Sequence, residues 1–579
     1  MTARQKASAA PFPPEQKRAG VLAPVFSLRG TQDAGIGDTA ALREFLLWAA
    51  SRDIGAVQVL PVNEPGADHS PYNLMSAMAL DPLTIATTPD DLPGMTAEDY
   101  AALPKPASGD ARCVDYPTVE KFNRQALGAA HARFLEWPAT HALRKEFDGF
   151  LQIHADWLNP YLLHRTLVEW NHNENPAEWP EAHHSPAATN AWLDAQPQNT
   201  RAYFKQRSAF FGYIQWVAWR QWRGVRELAD RLGVALIGDI PVGVSLFSAD
   251  VWSHPEWFDT SRSSGAPPER VFQSEEFTMR WGQNWGFPLY NWKLMEADNF
   301  HWWRQRLRLL LGIFHLLRVD HALGFFRIYS FPWRPEENAR FTALSDKEAA
   351  ALTGGRLPRF VECDDDTPQR RDHNRKHGER IFRMFLEETG PARLIAEDLG
   401  EVAPYVRPTL AQLEIPGCKI PQWERSGDRL TPGVAYPRLS LTTFATHDHP
   451  PLRALWSELY QSTQSGGETA RRALHQQWEF MDFCARSDFP LPAPFSQDVH
   501  HAFLRGLLLS NSWLAIYMIS DVLGNDDRFN VPGSIGQTNW TRRLPCPTSE
   551  LNARYADTLA FLQQAIHETG RLPRQMANG

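Results

Sequence analysis

The chain has 579 residues, 43% hydrophobic and 22% charged, so it can bury a large core and exceeds the usual span of one domain. Its formal net charge of −8 is small for this length and spread along the sequence, which argues against a nucleic-acid footprint or a polybasic membrane patch and suits a neutral substrate. Five cysteines (Cys113, Cys363, Cys418, Cys484 and Cys546) are widely spaced and form no CxxC pair, against both a disulfide framework and a zinc site and for a reducing compartment.

Residues 1–18 lack the apolar core of a secretory signal and read as a flexible tail, and no run of about 18 uncharged apolar residues follows, so a cytoplasmic protein is expected. Residues 19–579 then read as one catalytic body. Eight apolar runs are spaced along it, at 20–28, 56–62, 235–242, 314–320, 392–398, 417–423, 440–448 and 513–521. Helix-like stretches lie between several of them, such as the amphipathic residues 38–53 and the arginine-broken stretch 301–319 that leads into the fourth run. This βα alternation predicts an α/β fold, a (β/α)8 TIM barrel with large helical and loop insertions over its C-terminal face. One insertion, about 85–210, is expected to form a subdomain, and another, about 260–292, a lid.

Most runs end in a polar or charged residue, as strands do where they reach the catalytic face of such a barrel. Three end in carboxylates: Asp320 in RVDHALGFF, Glu397 in LIAEDLG and Asp448 in FATHDH. A lone strand-end Asp is more often a helix cap or an ion-pair partner. Three acids arriving together suit glycosidic chemistry, where one carboxylate attacks the sugar carbon, a second passes a proton to and from the bridging oxygen, and a third holds sugar hydroxyls. The chain also carries 22 tryptophans, whose faces suit the apolar C–H faces of pyranose rings. Trp281, Trp285 and Tyr290 fall in the lid-like stretch. The acid run Asp364, Asp365 and Asp366 reads as solvated loop surface. No Walker-type, strand-coupled GxGxxG or HExxH motif is present.

From about Ala19 to Leu544 the sequence resembles the amylomaltases, 4-α-glucanotransferases of glycoside hydrolase family 77 in the α-amylase superfamily. The resemblance rests on GVLAPVFSLRGTQDAGIGD, QVLPVNEPGADHSPYNLMSAMALDPL, GDIPVGVSLFSADVW, GQNWGFPLYNW, RVDHALGFFR, IAEDLG, YPRLSLTTFATHDH and NVPGSIGQTNW, in the family's order. It implies that Asp320 is the nucleophile that forms a covalent glycosyl-enzyme, with Arg318 keeping it ionised. Glu397 is then the general acid/base, about 5–5.5 Å from the nucleophile as retention requires. Asp448 is the third acid, with His447 a hydroxyl-binding partner. Ser70 and Tyr72 of the Ser-Pro-Tyr motif, Asp239 at the third strand's end, and Gln283 and Trp285 of the lid are implied substrate contacts. No cofactor or metal is implied. Donors would be α-1,4-glucans and maltooligosaccharides, acceptors glucose or maltooligosaccharides, with no nucleic acid or membrane partner.

The sequence also departs from that pattern. Leu246 and Phe247 replace a His-Asp pair, and Pro267, Pro268 and Glu269 replace Pro-Pro-Asp. His449, Pro450 and Pro451 replace Asn-Asp-Thr, removing hydrogen-bonding groups beside Asp448. Because transfer and hydrolysis share one glycosyl-enzyme, an α-1,4-glucan hydrolase stands as an alternative reading. A non-catalytic glucan-binding protein is another, which the intact carboxylate set opposes.

Overall fold

The eight apolar runs form the eight parallel strands of one closed barrel: β1 (Arg18–Leu22), β2 (Ala56–Gln58), β3 (Ala235–Ile240), β4 (Leu316–Val319), β5 (Leu394–Ala396), β6 (Gly417–Lys419), β7 (Ser440–Thr442) and β8 (Leu514–Met518). The computed structural model describes residues 12–104, 106, 111–268, 275–532 and 538–573. Each strand pairs with its neighbours in sequence, and β8 closes on β1 with Arg18 opposite Leu514. Apart from Gly417 the strand residues are buried, so the strands read as continuous apolar runs rather than as an alternating pattern. The strands are shorter than the runs, because the chain leaves the barrel at its rim. β7 ends at Thr442, and residues 443–448 continue into the loop above it. The polar ends of the runs therefore gather over the C-terminal face. Packing is tight beneath it: a Cβ on Gly238 of β3 would lie 2.4 Å from the Phe314 ring, so a side chain there would force the ring away.

The amphipathic stretch 38–53 is helix α1 (Thr39–Ser51), opened by the Asp38 carboxylate accepting from the Ala41 N–H. The expected subdomain is helical and includes α2 (Ala155–Asn171). Its expected end near residue 210 falls inside α3 (Gln198–Leu232), one 35-residue helix. Early in α3, Phe204 packs with Leu167 and Trp179 of the insertion and with Trp252 from the connection after β3; later, Trp222 meets Phe314 beside the barrel. Insertion and barrel thus share one rod with no linker between them. α4 (His301–Leu311) runs into β4 as read from the sequence. No helix among the described residues is long and apolar enough to cross a membrane.

The stretch 260–292 contributes two strands, Ser263–Ala266 and Gln283–Asn284, to a four-stranded sheet completed by Ile328–Phe331 and Arg359–Val361. Residues 269–274, Glu269 among them, lie outside the described residues. The sheet has its own small core of Phe277, Trp281, Phe331, Trp333 and Phe341. Trp281, expected as a sugar platform, is buried there and donates its indole N–H to the Phe341 carbonyl at 2.9 Å. Tyr290 packs against Trp302 and Trp303 of α4 instead of facing the barrel mouth. At the barrel's other end, the stretch expected to be tail joins the core before residue 18. Phe12 is buried edge-on against His315 and under the Arg18 guanidinium. Residues 1–11 lie outside the described residues.

Candidate active site

Strand register brings the acids together. Asp239 in β3 pairs with Arg318 in β4, and Val319 pairs with Ala396 of β5, so Asp320 and Glu397 each stand one residue beyond a matched pair. The Asp320 N–H donates to the Ile240 carbonyl and the Glu397 N–H to the Val319 carbonyl, both at 3.0 Å, which continues the ladder past the strand ends. Neighbouring strands lie roughly 4.8 Å apart, so both carboxylates project from adjacent points on the rim.

One guanidinium organises the floor of this site. Arg318 Nη1 donates to both Asp239 oxygens, at 2.8 and 2.6 Å, and to Asp320 Oδ1 at 2.9 Å. Tyr72, carried in from the loop after β2, donates its hydroxyl to Asp239 Oδ2 at 2.8 Å and stacks on His447, ring centres 4.9 Å apart. His447 Nε2 stands 3.4 Å from Asp448 Oδ1. Glu397 makes no ion pair among the described residues; its oxygens accept backbone N–H bonds from His321 at 2.8 Å and Leu399 at 3.1 Å. His321 reaches that position with φ at 43°, a left-handed conformation that costs a non-glycine residue about 1–2 kcal/mol. The strain turns its N–H onto the Glu397 carboxyl.

These surroundings separate the acids. Burial, reinforced by the negative charges of Asp320 and Asp398 and opposed by Arg318, pushes Glu397 from 4.5 to about 8. Burial also raises Asp320, but there Arg318 opposes it through a direct hydrogen bond. For Asp448, burial acts upward and is outweighed by His447 and by an amide hydrogen bond from Asn530, so its pKa falls below the usual value. Glu397 is thus set to hold a proton at neutral pH, while the direct Arg318 bond favours the charged form of Asp320 and His447 and Asn530 favour that of Asp448.

The acids stand in a cleft of about 2360 Å³. Of the residues singled out from the sequence, Ser70, Tyr72, Gln283, Trp285, Arg318, Asp320, Glu397, His447 and Asp448 all line it. Asp239 does not; it is buried one layer below, beneath Tyr72 and Arg318. Leu246, Phe247 and His449 also line the cleft, so these departures face whatever occupies it. Ser70 is turned partly inward on its own loop, where its hydroxyl accepts from the Tyr72 N–H at 3.4 Å. Trp285 lies edge-on to His321, centres 4.8 Å apart, and donates to the Gln283 side chain at 3.1 Å.

Several lining residues escaped the sequence reading. Asp448 is held from the loop after β8: Asn530 donates to Asp448 Oδ1 at 2.6 Å and Arg528 to the Asp448 carbonyl at 2.6 Å. Asn530 opens the NVPGSIGQTNW motif, but its partner is 82 positions away and nothing local marks the pair. Asp365, read as solvated surface, is instead half-buried beside the cleft, held by Arg327 at 3.2 Å, Tyr405 at 3.1 Å and Asn374 at 2.8 Å. It fixes Arg327 and Tyr405, which line the cleft, and Arg327 lies flat over the Phe360 ring at 3.6 Å.

The 4-alpha-glucanotransferase family, glycoside hydrolase family 77, matches residues 23–549 of the chain. The sequence is 28% identical over 564 residues to a 4-alpha-glucanotransferase of Chlamydia caviae, covering 93% of this chain and 94% of that one. It is 29% identical over 544 residues to that of Thermus thermophilus, covering 91% and 94%. In fold it is similar to an amylomaltase from Streptococcus agalactiae in complex with acarbose (TM-score 0.74, 22% identity, 96% of this chain and 100% of that one). An amylomaltase from Corynebacterium glutamicum is similar as well (TM-score 0.71, 20% identity, 95% and 75%). With a family match spanning most of its length and the barrel to go with it, the chain belongs to the 4-alpha-glucanotransferases of glycoside hydrolase family 77.

Proposed function

We propose that this enzyme moves α-1,4-glucan segments between maltooligosaccharides, or onto glucose, by double displacement, with Asp320 as nucleophile, Glu397 as general acid/base and Asp448 as the acid that holds hydroxyls of the reacting sugar. The observation that carries this reading is the unequal setting of two acids one register step beyond neighbouring strands. Asp320 is bonded to Arg318 and fit to attack, while Glu397 is raised to about 8 and holds a proton for the leaving oxygen. In the first step Asp320 attacks the anomeric carbon as Glu397 protonates the departing oxygen. In the second, Glu397 takes the proton from the incoming acceptor hydroxyl, which displaces Asp320, and the α-configuration is retained. His447, Tyr72 and Asp448 form one connected edge of the site, suited to holding the hydroxyls of the ring as it distorts. We also place the enzyme in the cytoplasm, in keeping with its five unpaired cysteines.

Incubation with maltotriose tests the reaction type. Transfer yields glucose together with maltopentaose and longer chains. Glucose and maltose with no longer product would mean hydrolysis, and an unchanged substrate that still binds would mean a non-catalytic glucan-binding protein.

The pH profile tests the assignment of the proton. The first step needs Glu397 protonated, a state complete well below about 8 and lost as pH rises through it, so kcat/KM should fall on an alkaline limb near pH 8. The acid limb follows protonation of Asp320. A profile flat from pH 7 to 9.5 would contradict Glu397 as the proton donor.

A further inference from the structure

His449 directly follows Asp448 in the chain and lies on the cleft wall. Its Nδ1 accepts from the Thr446 backbone N–H at 3.1 Å and lies 2.8 Å from the Thr446 hydroxyl. A backbone N–H can only donate, so Nδ1 carries no hydrogen and the proton of the neutral ring is on Nε2. Nε2 has no hydrogen-bond partner among the described residues, and it is not sealed in the interior. The ring is also braced edge-on by Trp423, centres 5.0 Å apart, another residue of the cleft wall. Burial keeps the imidazole neutral, with a pKa lowered to about 4. The result is a single N–H donor on a ring fixed from two sides, facing a site that takes a polyhydroxylated substrate.

Position decides which part of the substrate it meets. Trp423 belongs to the turn after β6, and Glu424 beside it is bound by Lys419 at 3.1 Å and by Arg407 at 3.3 Å. Arg407 in turn holds Asp398, the residue after Glu397, at 2.9 Å. The pair His449 and Trp423 is thus tied through Glu424 and Arg407 to the residue that follows Glu397, the acid/base. In a double displacement the leaving sugar and then the acceptor pass on the acid/base side. Leu455, Glu458, Leu459 and Gln476, which follow His449 in the chain, line the same cleft.

Building on the transfer reading above, we propose that His449 is an acceptor-binding residue of this enzyme: its Nε2–H donates to a hydroxyl of the sugar that enters to attack the glycosyl-enzyme, with Trp423 bracing the imidazole. It selects among acceptors, sugar over water in particular, and takes no part in forming the glycosyl-enzyme.

Two isosteric variants separate this role from loop anchoring. His449→Asn keeps an acceptor near Nδ1 for Thr446 and removes the cleft donor, whereas His449→Gln places an amide N–H near Nε2. For each, fluoride release from an α-glucosyl fluoride measures the first half-reaction, and transfer to glucose or maltose over a concentration series measures acceptor KM. In His449→Asn, acceptor KM should rise about five- to tenfold, the scale of one lost neutral hydrogen bond. The hydrolysed share of product should rise with it, while fluoride release under single turnover stays within twofold of the parent. His449→Gln should recover part of the acceptor affinity. Unchanged acceptor KM in His449→Asn, or an equal fall in fluoride release and transfer, would overturn the proposal. Fluoride release by the unaltered enzyme that leaves no sugar on Asp320 under rapid quench would instead refute the double-displacement reading and say nothing for His449.

Discussion

Asp320→Asn should abolish measurable transfer, lowering its rate by roughly four orders of magnitude or more, while the protein folds as before. The amide matches the carboxylate in shape, and its oxygen can still accept from Arg318, whose stronger hold on Asp239 at 2.6 and 2.8 Å is untouched. What disappears is the charge that attacks the anomeric carbon. Circular dichroism and the thermal midpoint should therefore stay close to the parent's while maltotriose disproportionation stops. A second consequence follows at Glu397. Its pKa is raised mainly by burial, but the charge of Asp320 adds to the effect, so neutralising Asp320 makes Glu397 easier to ionise. Carbon-13 NMR of labelled glutamate should find Glu397 titrating below about 8 in the variant. Turnover within tenfold of the parent would remove Asp320 from the mechanism.

The barrel was legible because its physics is local. A strand buried on both faces must be apolar along its whole length, and eight such runs separated by helix-length or longer segments leave few other arrangements. The place of two acids was legible for a related reason: Asp320 and Glu397 directly follow β4 and β5, whereas Asp448 stands in the loop past the end of β7 at Thr442. The side sheet was hidden. Its strands are two to four residues long and come from two separate insertions, and the pairing of Ser264 with Ser330 has no counterpart in any local pattern. Trp281 shows the cost of reading aromatics without that sheet, since an indole that serves a satellite core has the same sequence signature as one that serves a ligand.

Within the site, the first contacts were readable and their supports were not. Arg318 stands two residues from Asp320, and alternation along a strand puts both on one face. Asn530 and Arg528 reach Asp448 from the far end of the chain, and His321 acts through a backbone N–H whose direction depends on a left-handed φ that an imidazole side chain does not announce. His449 beside Asp448 was visible in the sequence, but its meaning depends on the Nδ1 bond to Thr446, which is a matter of geometry.

Glu397→Gln should separate the two half-reactions. With a natural glucan the leaving oxygen needs a proton, and the amide cannot supply one, so transfer should fall by about 10²–10⁴-fold. Fluoride departs without protonation, so an α-glucosyl fluoride should still glycosylate Asp320 in the variant. The next step then stalls, because no base is present to take the acceptor's proton. The glycosyl-enzyme should accumulate, and the protein mass should rise by one glucosyl unit. The stalled ester should map by peptide mass spectrometry to the fragment containing Asp320 and no other. The pH profile supplies the complementary check: fluoride release, which needs no proton from Glu397, should show no alkaline limb near 8 in parent or variant, while the acid limb, set by Asp320, remains in both. Sugar found on Asp239 or Asp448 would break the division of roles, since both are carboxylates close enough to be mistaken for the nucleophile. The Arg318 contact to Asp239 makes that acid the stricter control: it is the more tightly held of the two, yet it lies under Tyr72 and out of the cleft, where no anomeric carbon can reach it.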